Sequence, residues 1–156
     1  MKALATSLTC TAALLLGVLP LHAQAFQEFI AVGGPVTALT NAKVIDGTGA
    51  PARTGQTILI EGGRITGVGS NVSIPEGATR VNLAGHTVIP GLIGLHNHSF
   101  YTGGQGRAAQ LSFSGSRLYL ASGVTTIRTT GARAPYEELN LKREIDAGRA
   151  IGPTMF

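Results

Sequence analysis

The chain nearly lacks cysteine: in 156 residues the single thiol is Cys10. A disulfide framework is excluded. Charge is sparse too, with Asp, Glu, Lys and Arg making up 13% of the residues and a formal balance of +4. The arginines at 53, 64, 80, 107, 117, 128, 133, 143 and 149 are scattered rather than clustered. No basic stripe exists to follow a phosphate backbone, so nucleic acid is not an expected partner. Long apolar runs are absent beyond the stretch from Leu8 to Leu19, which is shorter than the roughly 20 residues a membrane-spanning helix needs. Histidine is limited to His22, His86, His96 and His98. Glycine, by contrast, numbers 22, and it falls at turns and strand ends rather than in a repeat, which predicts many short strands and not disorder.

The N-terminus reads as an export signal. Met1-Lys2 supplies a short positive region, Leu8 to Leu19 an apolar core, and Ala23-Gln24-Ala25 a small-x-small cleavage site. Residues 1–25 are therefore expected to be removed, leaving Phe26 as the mature N-terminus, no thiol and no stable membrane anchor. The segment carries one lysine and no acid, so its loss takes the charge from +4 to +3. A periplasmic or extracellular location follows.

From Val36 to Val88 the pattern is strand and turn. Val36 to Ile45 leads into Asp46-Gly47, and the runs Thr57 to Glu61 and Arg64 to Val68 flank Gly62-Gly63, a two-residue hairpin signal. Short strands at Thr79 to Leu83 and Thr87 to Ile89 complete a small β-layer. Asp46 and Glu61 each sit beside a glycine and read as turn residues rather than catalytic acids. After Pro90-Gly91 the period changes. Leu92 to Asn97 reads as a buried strand, and Ala108, Leu111, Gly115, Leu118 and Ser122 recur at helical spacing before Gly123. Val124 to Arg128 is the next strand. A second helix is expected from Pro135, with Glu137 and Glu138 in its first turn, a Glu138–Lys142 pair four apart, Leu141 and Ile145 on one face, and Gly148 at its end. Pro153 to Phe156 begins a further strand. Strand, helix, strand, helix, strand is the order of a parallel sheet with helices outside it, an α/β architecture.

The chemistry-bearing feature is His96-Asn97-His98, at the end of the apolar run Val88 to Leu95. Side chains alternate along a strand, so two histidines two apart share a face and their rings can share one cation, while Asn97 looks the other way. Zinc and similar ions want three or four protein ligands, so this pair begins a site without completing it. His86 follows Ala84-Gly85 in a turn and reads as a surface residue.

Asn41 to Gly49, Ile60-Glu61-Gly62-Gly63-Arg64-Ile65, Pro90 to His98 and Gly123-Val124-Thr125-Thr126-Ile127-Arg128 together resemble the N-terminal part of the amidohydrolase superfamily, especially its imidazolonepropionase-like and prolidase-like members. The resemblance implies a (β/α)8 TIM-like barrel whose first strand ends in the His-x-His motif, preceded by a small β-sandwich segment: residues 26–89 would be the sandwich part and 90–156 the first βα units. It also implies that His96 and His98 bind a divalent metal, zinc for preference and one or two ions in the full-length parent. A metal-bound hydroxide would then attack the C–N bond of a small amide, cyclic amide or dipeptide substrate. The remaining ligands and the general base have no counterparts here. After His98 the chain offers no histidine, only Lys142 as lysine, and only Glu137, Glu138, Glu144 and Asp146 as acids, all on one expected helix. The expectation is an N-terminal fragment, inactive by itself.

Two other readings compete. Gly104-Gln105-Gly106-Arg107-Ala108-Ala109 fits the G-x-G-x-x-A pattern of a dinucleotide-binding βαβ unit, with Arg128 near a 2′-phosphate, but Ser99 to Gly103 separate it from its strand and the reading leaves both histidines unused. A secreted, non-catalytic metal-binding β-rich module is the other, with His96 and His98 as a bare chelate.

Overall fold

The computed structural model describes Phe26 and residues 29–156, and the expected export signal over residues 1–25 lies outside that range. Two sheets carry the fold. The first contains β1 (Val36–Val44), β2 (Arg53–Glu61), β3 (Arg64–Gly69), β4 (Thr79–Asn82) and β5 (Thr87–Val88), in the order β3-β2-β1-β4 with β5 also on β1. Antiparallel pairing joins β1 to β2 and β2 to β3, whereas β4 and β5 run parallel to β1. Gly62 and Gly63, at φ 54° and 75°, supply the two left-handed residues that a tight β2–β3 turn needs, so Glu61 faces Arg64 across the hairpin.

Strand β1 bends at Asn41, whose φ of 60° coincides with the register shift between Leu39 and Ala42. The bend divides its parallel neighbours. Before it β1 pairs with β4, after it with β5, and the Asn41 side-chain amide donates to Asn82 Oδ1 at 3.0 Å across the junction. Inward residues Ala42, Val44 and Ile58 form the core of this layer, with Leu39, Ile60, Leu83 and Val88 packed against it.

The second unit contains β6 (Leu92–Asn97), a hairpin of β7 (Phe100–Thr102) and β8 (Ala108–Gln110), α1 (Ser114–Ala121), β9 (Val124–Thr129), α2 (Pro135–Asp146) and β10 (Thr154–Met155). Strands β6, β9 and β10 pair in parallel in the order β10-β9-β6. This is the expected mixed α/β order. Pro135 occupies the start of α2, where its missing N–H costs no hydrogen bond, and the two glutamates of the first turn complement the helix dipole.

Two expectations need correction. The helical spacing traced from Ala108 does not begin there: Ala108 to Gln110 pair with Phe100 to Thr102 around a glycine-rich tip, and α1 starts at Ser114. Ile127 of β9, by contrast with the exposed Ile93 and Leu95 of β6, is only 2% exposed and borders a small cavity with Ser99, Leu111, Ser116, Tyr119, Leu141 and Met155. Glu138 does not pair with Lys142. Lys142 Nζ instead donates to Asp146 Oδ2 at 2.6 Å, and Glu138 is buried.

Candidate metal centre

Strand β6 delivers His96 and His98 to the C-terminal end of the parallel sheet, His98 one residue beyond the strand. Their ring centroids lie 5.3 Å apart with planes at 82°, and both side chains are exposed. The alternation argument therefore places them correctly as neighbours, although the pairing with β9 slips between Gly94 and Asn97, where three steps on β6 span two on β9. Asn97 looks toward the interior. Its Nδ2 is buried without a partner among the described residues, and it packs so closely on Gly94 that a Cβ there would lie 2.3 Å from it.

The loop after β9 fixes the second imidazole. His98 Nδ1 sits 3.0 Å from the carbonyl oxygen of Gly131, which only accepts, so in the neutral tautomer this contact selects, Nδ1 carries the hydrogen and Nε2 the lone pair. The backbone around it is held from both sides: Thr130 N–H donates to Asn97 O at 3.2 Å, and the Tyr119 hydroxyl of α1 donates to His98 O at 3.3 Å. The ring then stacks at a tilt on Phe100 of β7, 4.9 Å away, and Phe100 carries the Arg133 guanidinium 5.5 Å from its ring centre. An oriented imidazole with a free Nε2 fits a divalent cation, as does a second imidazole beside it. Among the described residues no group of three or more His, Cys, Asp or Glu side chains converges, so the donor set stops at two.

Other candidate residues fall elsewhere. His86 is exposed, with Nδ1 3.2 Å from Ala84 O, and it borders a surface cavity with Asn41 and Lys43 rather than the histidine pair. Asp46 is a turn residue as expected: its Oδ1 accepts from the Thr48 hydroxyl at 2.6 Å and from Thr48 N–H at 3.0 Å. Those two bonds, with the Arg53 guanidinium 3.5 Å away, hold its carboxyl below the usual carboxylate range. Glu137 accepts from the Ser112 hydroxyl at 2.6 Å, and Glu144 pairs with Arg149 through two contacts of 2.7 Å. The segment Gly104–Gly106 is the tip of the β7–β8 hairpin, with Gln105 at φ 62°. No helix opens behind it, so it offers no helix N-terminus to a dinucleotide phosphate, and Arg128 is simply exposed. The residues that sequence reasoning missed are Gly131 and Phe100. A backbone carbonyl leaves no trace in residue type, and Phe100 reads as an ordinary strand aromatic.

No family model matches the sequence. Among curated proteins, the chain is 38% identical over 60 residues to an imidazolonepropionase of Vibrio cholerae, covering 38% of this chain and 15% of that protein. It is 30% identical over 91 residues to the imidazolonepropionase of Mycolicibacterium smegmatis, covering 58% of this chain and 23% of that protein. Among solved structures, a putative prolidase from Bifidobacterium longum superposes with a TM-score of 0.62 at 32% identity, over 77% of this chain and 29% of that one. The chain thus spans less than a third of the length of each. Sequence relatives and a fold neighbour of one superfamily coincide on a chain that sets a His-x-His pair at the end of a parallel strand, and together they support an amidohydrolase superfamily member, of which this chain matches the N-terminal part.

Proposed function

We propose that this chain supplies the first metal ligands of an exported, metal-dependent hydrolase of C–N bonds. Residues 26–89 form its β-sandwich segment, and residues 90–156 open a (β/α)8 barrel. The observation that carries the reading is the oriented pair of imidazoles, His96 beside His98, with the Gly131 carbonyl leaving His98 Nε2 available. A bound divalent ion, zinc for preference, would polarise a substrate carbonyl and acidify water at neutral pH. The chain's own part is to hold those two nitrogens at the C-terminal end of parallel strands, the end at which barrel enzymes keep their chemistry. Small amides, cyclic amides and dipeptides are the substrate class, in keeping with the imidazolonepropionase and prolidase named among its relatives. Removal of residues 1–25 would accompany export to the periplasm or medium.

By itself the chain is proposed to be inactive. Two imidazoles bind a metal weakly, and among the described residues no carboxylate joins them to move a proton. Metal titration tests the site: zinc should bind the wild type and not the His96→Ala/His98→Ala variant, and equal binding by both removes the proposal. Reading the coding sequence beyond Phe156 tests the parent. A lysine and two histidines at later strand ends, with amidase or dipeptidase activity in the longer polypeptide, are the expected result. A stop codon there favours the non-catalytic metal-binding module, and metal-dependent turnover by the 156-residue chain overturns the inactivity.

A further inference from the structure

One carboxylate in the fold is used by nothing described so far. Glu138, in the first turn of α2, is 5% exposed, and its Oε1 is buried with no hydrogen-bond partner among the described residues. Buried polar atoms are satisfied in the great majority of cases, and a buried carboxylate without a donor carries a large desolvation cost. Glu138 lines a cavity of about 250 Å³ between α2 and the end of β10. Pro135, Leu139, Met155 and Phe156 make its apolar wall and Thr129 adds a hydroxyl. The only cation on the wall, Lys142, is bound to Asp146 at 2.6 Å. The cavity thus has an acidic side chain at one end, in the first turn of α2, and hydrocarbon around it. Leu139 and Phe156, exposed at its rim, leave it open to solvent.

We infer that this cavity binds an alkylammonium or alkylguanidinium group, with the cation on Glu138 and the alkyl stem along Leu139, Met155 and Phe156. The chemistry is that of a free amine or of a basic side chain from a polypeptide packed on α2. The site is separate from His96 and His98, so it stands or falls independently of the metal reading.

The test is a titration of the full chain with n-butylammonium chloride, against n-butanol and sodium chloride at matched ionic strength. Butylammonium should shift the amide resonances of Thr129 and Leu139 saturably, and at about ten times its dissociation constant should raise the melting temperature by roughly 4 °C. Butanol should do neither, and Glu138→Gln should abolish the response. A second arm, the peptide acetyl-Gly-Lys-Gly-amide, separates the sources. Tighter binding than butylammonium assigns the site to a polypeptide side chain and weaker binding assigns it to a free amine, each with the site intact. Equal responses to butanol and butylammonium, or a full response in Glu138→Gln, overturn the inference. If circular dichroism shows that Glu138→Gln does not fold, the wild-type contrast between butylammonium and butanol decides alone.

Discussion

At the scale of single residues, the site depends on small groups that keep imidazoles in place. Gly94 is the clearest case. Any Cβ there would meet the Asn97 side chain at 2.3 to 2.9 Å, and Asn97 is the residue between the two histidines. Gly94→Ala should therefore displace Asn97, cost about 1–3 kcal/mol in urea unfolding, and weaken zinc binding even though it removes no ligand. Unchanged stability and affinity would show that the strand end tolerates the shift. Asp46 makes a different prediction, on pH. Its carboxyl is held below its ordinary value, first by the Thr48 hydroxyl, then by Thr48 N–H and Arg53. A depressed native pKa contributes stability that is complete above the unfolded value of about 3.9 and lost as pH falls through the lower native value. Asp46→Asn should thus flatten the acid limb of a stability–pH curve below about pH 4, and a limb of unchanged slope would count against the turn's role.

Elements are where sequence reading succeeded and failed for identifiable reasons. The β2–β3 hairpin, the α2 start at Pro135 and the β6 and β9 strands were legible because paired glycines, a proline, an apolar run and a β-branched run respectively mark them. The β7–β8 hairpin was not, because Ala108 and Leu111 satisfy a helical spacing by coincidence, while the pairing of Phe100 to Thr102 with Ala108 to Gln110 depends on contacts that periodicity does not register. The same limit hid the parallel docking of β4 and β5 on β1. Burial of Glu138 escaped notice since its spacing to Lys142 matches a surface pair, yet Asp146 takes that lysine. Ile127 gives the element-scale test. It is the fully buried side chain of β9 on the helix-covered face, whereas Ile93 of β6 is 64% exposed. Ile127→Ala should cost about 2–5 kcal/mol, and Ile93→Ala should cost well under half of that. Equal costs in denaturant titrations would mean the two faces of this sheet are packed alike.

For the whole molecule, the governing feature is that exposed face. Ile93 and Leu95 stand 64% and 68% exposed on β6, and Leu92 beside them is half exposed. Parallel sheets are normally covered on both faces, and an uncovered one presents contiguous apolar surface together with unpaired backbone on its outer strands. Among the described residues, β6 and β10 each have one strand neighbour in that sheet. Each large apolar side chain removed from water is worth about 1.5–3 kcal/mol, so a few of them suffice to drive association at micromolar concentration. Sedimentation velocity should show the wild-type chain self-associating as concentration rises. Ile93→Lys/Leu95→Lys should remain monomeric while keeping both histidines and hence zinc binding. If the wild type is monomeric across tens of micromolar, the face is shielded within the chain itself, and exposure of Ile93 and Leu95 does not govern its behaviour.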